Sequence, residues 1–140
     1  MIILASEDIG NADPQALPVA VAAAHAVEHV GLPEGHFALA QAAIYLSLAP
    51  KSNAAYRAIA AAREHVQQHG AELPPEVLRS RFRGGGGYDY PHARPGHVSA
   101  QALLPAEVAG VRFYEPADAE AEMAARLEAI REARARAGGG

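Results

Sequence analysis

The sequence predicts an all-α protein, a compact helical bundle of about four to six helices with one long irregular loop rich in glycine and proline. Half of the 140 residues are hydrophobic, but only 6% are aromatic and tryptophan is absent, which favours closely packed helices with small contact residues. Residues typical of helix starts and stops divide the chain into segments of helical length. Residues 84–116 collect glycines and prolines and are predicted to hold most of the irregular structure.

The first two predicted helices are bounded by proline and glycine. Asp13 can cap free amides and Pro14 suits a first helical position, so one helix starts there and stops at Gly31. The next runs from Pro33 to Pro50. Apolar residues cover most of its circumference: Phe37, Leu39, Ala40, Ala43, Ile44, Tyr45, Leu46 and Leu48. Since a helix that is apolar all round is a buried helix, we expect this one to be the central rod of the bundle.

Two further helices follow. Ser52 caps an amphipathic helix that ends at Gly70, and one short helical turn is expected after Pro74 and Pro75. The last helix is predicted over about 117–137. Its apolar stripe is narrow and its charges form i,i+4 pairs, so it suits docking on a neighbour or a solvated tail.

Charge and cysteine content exclude several classes of protein. The formal net charge is −4, so nucleic-acid binding would need a local basic patch. The absence of cysteine excludes disulfides, thiolate zinc sites and cysteine nucleophiles. The apolar residues 1–5 lack the basic region of a secretory signal, and the longest uncharged run, residues 35–50, is too short for a membrane span. We therefore expect a cytoplasmic protein without a membrane partner.

The stretch HAVEH at residues 25–29 reads as H-x-x-E-H, the motif of the inverted zinc metalloproteases. His25 and His29 share one side of a helix, and Glu28 could act as a base. The motif has only three fixed letters in a chain with seven histidines, so the sequence favours surface residues near a helix end. A zinc hydrolase remains the rival hypothesis. Its third ligand would come from loosely placed candidates: Glu64, His65 and Glu107.

The glycine run at residues 84–87 is followed by Tyr88 and Asp89 rather than Lys-Ser or Lys-Thr, so it is no Walker A loop. The surrounding arginines and aromatics could contact phosphates and stack on bases, making residues 79–97 a nucleic-acid-binding module. Because Asp89 interrupts this patch, we favour the alternative in which the tyrosine rings fold inward onto the helices. The candidate contact residues are Arg79, Arg81, Arg83, Tyr88, Tyr90 and Arg94.

The stretch SEDIGNADP predicts a structural joint formed by Asp8, Asn11 and Asp13. The chain leaves a helix near Ile9, turns at Gly10, and restarts at Asp13. Short polar side chains suit such a corner because they bond nearby backbone amides. No catalytic or cofactor-binding residue is predicted.

Three stretches carry a resemblance to a known family: ASEDIGNADP (residues 5–14), LAPKSNAAY (residues 48–56) and GYDYPH (residues 87–92). They resemble the C-terminal region of the RarA/MgsA family of AAA+ ATPases of replication-associated recombination, relatives of the Werner-helicase-interacting protein. The intervening helices and VRFYEP (residues 111–116) match in order and spacing. The resemblance extends from about residue 3 to residue 130.

The resemblance implies a domain division and a larger parent protein. Residues 1–12 would be the truncated end of the AAA+ lid helix with the joint, residues 13–137 a helical oligomerisation domain similar to the collar of clamp loaders, and residues 138–140 a flexible tail. The chain would then be a fragment that needs no metal or cofactor and is not itself an enzyme. The parent would bind ATP and magnesium.

The resemblance also implies partners. The chain would assemble as a homotetramer, and the parent would be a nucleoid-associated, DNA-dependent ATPase that contacts DNA and single-strand-binding protein at stalled forks. The residues independently favour self-association, because the first two predicted helices carry more apolar surface than a small monomer easily hides.

Overall fold

The structure is a computed structural model that describes residues 1–79 and 87–138. Among these residues there is no strand, which confirms the all-α class. They contain five α-helices: α1 (Ile2–Leu4), α2 (Ala16–Val30), α3 (Gly35–Leu48), α4 (Ala54–His69) and α5 (Ala121–Gly138). In the described part of the chain, no helix is long and apolar enough to cross a bilayer.

Short helical turns make up most of the remaining regular structure. A π-helical segment at Ala5–Ile9 and a 3₁₀ turn at Gly10–Ala12 connect α1 to α2. The turn predicted after Pro74 and Pro75 is present as Glu76–Leu78. The region predicted to be irregular contains further 3₁₀ turns, and another leads into α5: Pro91–Ala93, Pro95–His97, Ala106–Val108 and Asp118–Glu120.

The chain divides into two units. The first consists of Met1–Ala62 and Phe113–Ala124, and the second of Arg63–Arg112 and Ala125–Gly140. The first unit contains the core, whereas Ser99 is the one buried residue among those described in the second. The fold of the first unit therefore depends on buried apolar contacts, and that of the second depends more on hydrogen bonds.

The core of the first unit consists of small and medium side chains from α3, the start of α2 and the N-terminal segment: Ala5, Ile9, Ala16, Ala20 and Leu46. The helices α2 and α3 approach closely where α3 begins. A Cβ atom on Gly35 would lie 3.3 Å from the Cα atom of Val27, so glycine at this position permits the close contact. This packing agrees with the alanine-rich, aromatic-poor composition.

The prediction that α3 is a buried central rod is wrong. Gly35, Ala42 and Leu46 are buried, but Phe37 is 78% exposed, Ile44 62% and Leu48 80%. At about 100° per residue, these two sets of three lie on opposite sides of the helix. Only one side of α3 has a partner within the described chain, although both sides are apolar.

The other helices begin and end close to their predicted limits. The Ser52 hydroxyl oxygen accepts the backbone N–H of Ala54 at 3.2 Å, at the start of α4. The predicted apolar side of α4 is half exposed, with Tyr56 at 53% and Ile59 at 51%. The predicted last helix starts as a 3₁₀ turn and then continues as α5 to Gly138.

The N-terminal segment should contribute to stability through Ile9, which is fully buried, and not through Ile3, which is 73% exposed. We expect Ile9→Ala to lower the free energy of unfolding by about 2–5 kcal/mol, because it removes buried methyl groups and leaves a cavity. The matched control Ile3→Ala should change it by less than about 0.5 kcal/mol. Urea unfolding measures both, and equal losses would contradict this description of the core.

Candidate functional site

The most distinctive surface of the described chain is the outer face of α3, which we define as Phe37, Ile44 and Leu48. Ile44 and Leu48 also line a shallow groove of about 670 Å³, together with Tyr45, Ala49 and Pro50. Apart from Asp13 and Gln41, all of its lining residues are apolar or aromatic. A surface of this kind can bind another apolar surface, but it offers little for polar substrate chemistry.

Further apolar side chains of the first unit are exposed. On α2, Leu17 is 39% exposed, Val21 37% and Val30 62%, and Leu32 just beyond it is 62% exposed. Single exposed apolar residues are normal on soluble proteins. Many apolar side chains of this unit are exposed, because α3 is apolar on two sides and α2 covers only one of those sides.

Asp13 connects the start of α2 to α3. One carboxylate oxygen accepts the backbone N–H of Gln15 at 3.0 Å, and the other accepts the phenol of Tyr45 at 2.7 Å. The hydrogen bond to Asp13, followed by desolvation and by the charge of the carboxylate, raises the pKa of Tyr45 above its usual value of 10.0. The sequence contains no signal for this bond, because the two residues are 32 positions apart.

Asp8 and Asn11, the other members of the predicted joint, contact different parts of the first unit. The carbonyl oxygen of Asp8 accepts the backbone N–H of Ser52 at 2.8 Å. Between them in sequence, Gly10 has φ +52, and a Cβ atom there would lie 3.0 Å from the Ser52 carbonyl oxygen. Asn11 acts on Tyr114, where it lowers the pKa of the phenol. The three joint residues thus act on different parts of the first unit.

Sequence reasoning missed the buried acid Glu120, which is 2% exposed. Its Oε2 atom accepts the phenol of Tyr114 at 2.8 Å and the backbone N–H of Ala117 at 3.1 Å, whereas Oε1 is buried without a hydrogen bond. Burial, then the hydrogen bond to Glu120, raises the pKa of Tyr114, and Asn11 opposes this. The sequence does contain one indication of this role. Glu120 is the third residue of its helical turn, a position from which a glutamate can accept the backbone N–H of the residue before the turn.

The HAVEH residues do lie together on α2. Ligand atoms of His25, Glu28 and His29 are within 4.8 Å of one another, and all three residues are exposed. Nδ1 of His29 lies 2.9 Å from the carbonyl oxygen of His25. Within residues 1–79 and 87–138 this is the only group of three or more potential metal ligands, and it includes none of the three candidates for a further ligand.

The loop that precedes α5 is organised by Asp89. Its carboxylate accepts Nε of Arg94 and the hydroxyl of Ser99, both at 2.6 Å, and its backbone N–H donates to Gln101 at 2.9 Å. The hydroxyl of Ser99, then Arg94, lowers the pKa of Asp89. Asp89 interrupts the predicted basic patch, and its hydrogen bonds hold the loop together.

The interpretation that the tyrosine rings of this loop fold inward is wrong, because Tyr88 is 50% exposed and Tyr90 58%. Arg79 donates to the carbonyl oxygen of Pro74 at 2.8 Å. Two candidate contact residues, Arg81 and Arg83, and the first three glycines of the run lie outside the described residues, as do Gly139 and Gly140 of the predicted tail.

Comparison with known proteins identifies relatives along nearly the whole chain. A family described as the C terminus of the MgsA AAA+ ATPase matches residues 1–131. An AAA domain-containing protein of Mycobacterium tuberculosis is 44% identical over 94% of this chain and 31% of its own length. The replication-associated recombination protein A of Haemophilus influenzae is 37% identical over 94% of this chain and 32% of its own.

A eukaryotic relative has a comparable sequence identity to this chain, but the match covers a smaller share of the relative's own length. The ATPase WRNIP1 of Dictyostelium discoideum is 38% identical over 82% of this chain and 14% of its own length. The chain thus spans about a third of the length of the two bacterial relatives and less of the eukaryotic one.

The two contacts of Asp13 predict that its loss changes both the free energy of unfolding and the pKa of the Tyr45 phenol. Asp13→Ala removes the acceptor for Gln15, and we expect it to cost roughly 0.5–2 kcal/mol of stability. The same change should lower the pKa of Tyr45, because the hydrogen bond to Asp13 contributes most to raising that pKa. The stability that comes from this raised pKa is present below the unfolded pKa, about 10, and is lost as the pH rises through the folded pKa.

Denaturant unfolding and ultraviolet titration of tyrosinate measure the two effects, with Tyr45→Phe identifying the phenol that shifts. Asp8→Ala is the matched control, because the described contact of Asp8 with Ser52 uses its backbone carbonyl. An unchanged melting temperature in Asp13→Ala would contradict the structural role.

The HAVEH cluster should hold no stoichiometric zinc. Its three donors lie on one exposed helix surface, where water competes with each of them. Elemental analysis after purification without a chelator or a metal-affinity tag is the measurement. A tightly held ion that disappears in the His25→Ala, His29→Ala double variant would revive the zinc hydrolase hypothesis.

Proposed function

The chain belongs to the family of MgsA AAA+ ATPase C-terminal domains, and on that premise we propose that its task is to assemble copies of an ATPase involved in replication-associated recombination. The outer face of α3 is the observation that carries this proposal. A helix that is apolar on both sides and covered on one is suited to packing against a second copy of the same chain.

The energetics favour covering this face. Burying a large aliphatic or aromatic side chain contributes about 1.5–3 kcal/mol, and Phe37, Ile44 and Leu48 are all more than 60% exposed. A stable interface buries roughly 1,200–2,000 Å² in total, more than three side chains supply. The exposed apolar residues of α2 are available to extend the contact area: Leu17, Val21 and Val30.

We infer a homotetramer, a number that comes from the family resemblance and not from the shape of the face. In an isologous contact both copies use the same patch, so the outer face of α3 on one copy would pack against the same face of a second copy. In this proposal the binding and hydrolysis of ATP with magnesium belong to the full-length parent, as do contacts with DNA and single-strand-binding protein at stalled forks. The chain itself contributes assembly and no catalytic group.

Self-association should depend on the outer face of α3. We expect the chain at tens of micromolar to sediment above the monomer mass at both low and high salt, because an apolar interface is not screened by ions. Leu48→Lys should shift the mass to that of the monomer, since it places a charge within the proposed apolar contact. Sedimentation equilibrium measures the mass, and circular dichroism checks that the variant remains helical.

The matched control is Leu73→Lys, because Leu73 is 69% exposed and lies in the second unit. This variant should assemble like the original chain. A monomer in both buffers for the unsubstituted chain would contradict assembly by this domain. A dimer would support the interface and contradict the number four.

A further inference from the structure

A second apolar groove lies within the second unit, where residues from 71–79 and from 102–107 come together. Its volume is about 470 Å³. We call it the proline groove, because Pro74, Pro75 and Pro105 line it. Its largest apolar side chains are Leu73, which is 69% exposed, and Leu104, which is 52% exposed. Both side chains are therefore accessible to a partner.

The proline groove is poor in hydrogen-bond donors. Three of its lining residues are prolines, which have no backbone N–H. Among the described residues that line it, Arg79 is the one cation, and the groove's own residues hold it. Its Nε atom donates to the carbonyl oxygen of Pro74 at 2.8 Å, and its Nη1 atom lies 4.0 Å from the carboxylate of Glu76. A ligand of this groove must therefore bring its own donors.

Carboxylates surround the apolar lining of the groove. Glu72, Glu76 and Glu107 all line it and are exposed. These three carboxylates against the guanidinium of Arg79 give the groove a formal charge of −2. The second unit as a whole has ten arginines against seven acidic residues, for a formal charge of +3. The sign of the charge is thus reversed at the groove, which favours a cationic ligand there.

We propose that the proline groove binds a short cationic peptide segment of another protein, in which an aliphatic anchor is flanked by lysine or arginine. The anchor packs on Leu73 and Leu104, and the flanking cations contact Glu72 and Glu107. Such a segment supplies both the apolar surface and the donors that the groove lacks. The affinity is modest, because exposed ion pairs contribute little each and two leucines offer a limited apolar area.

The test is fluorescence anisotropy of a labelled synthetic peptide that has two central leucines between pairs of arginines. Two companion peptides of the same length have glutamate in place of arginine, or serine in place of leucine. Each companion should bind at least about tenfold more weakly, through loss of charge complementarity or of the apolar anchor. Equal binding of either companion, or binding of none of the three peptides, would overturn the proposal.

Charge reversal at the groove tests the proposed contacts directly. In the double variant Glu72→Arg, Glu107→Arg, the order of affinities should invert, so that the glutamate peptide binds more tightly than the arginine peptide. The matched control is Glu64→Arg, Glu128→Arg, which changes the charge of the same unit equally at exposed positions outside the groove. An unchanged order in the groove variant, or an inverted order in the control, would overturn the proposal.

Peptide binding and assembly use different units, so the two proposals fail separately. Leu73→Lys should weaken binding of the arginine peptide by about tenfold, because it removes part of the apolar contact and adds a charge of the same sign as the ligand. It should leave the sedimented mass unchanged. Leu48→Lys should lower the mass and leave peptide affinity unchanged. Circular dichroism checks that both variants remain helical, and undiminished peptide affinity in a folded Leu73→Lys would overturn the proposal.

Discussion

The helix α3 is apolar on two opposite sides, and the described chain covers only one of them. Leu46 is 1% exposed and Leu48, two residues further along the same helix, is 80% exposed. Side chains of the same type thus have opposite environments because successive residues advance by about 100° around the helix axis. The core needs the first side, and the second remains available for a partner. The proposed assembly of the chain follows from this division.

Two contacts determine which side of α3 faces outward. Gly35 lets the start of the helix approach Val27 on α2, because a Cβ atom there would already be in tight contact at 3.3 Å. Tyr45 donates to the carboxylate of Asp13, which also accepts the backbone N–H of Gln15 just before α2. These contacts fix the rotation of α3 about its axis, so Phe37, Ile44 and Leu48 are presented together. The second unit is organised differently, by the hydrogen bonds of Asp89.

Local sequence signals predicted where the helices begin and end. They failed for burial and for hydrogen bonds that depend on residues far away in the sequence. Pro14, Gly31, Ser52 and Gly70 act on neighbouring backbone amides, so the helix limits could be predicted to within a few residues. The burial of α3 could not, because apolar periodicity is the same whether the covering surface belongs to this chain or to another. Nor could the bond between Tyr45 and Asp13, since nothing local distinguishes Tyr45 from the other tyrosines. The role of Asp89 could not be predicted, because nothing local in the sequence pairs it with Arg94 or with the buried Ser99. The family motifs identified the relatives more directly than any physical pattern did.

The central claim is that a second copy covers the outer face of α3. A spin label beside this face tests it most directly, and the absence of native cysteine makes the label unique. Ser47→Cys is a conservative position for it, because Ser47 is exposed and lies next to Leu48. Double electron–electron resonance on the fully labelled chain should show strong dipolar coupling between copies, which should disappear when labelled chains are diluted into a large excess of unlabelled ones. An absence of coupling in the undiluted sample, at a concentration where the chain is assembled, would contradict the account, because the copies would then meet through a different surface.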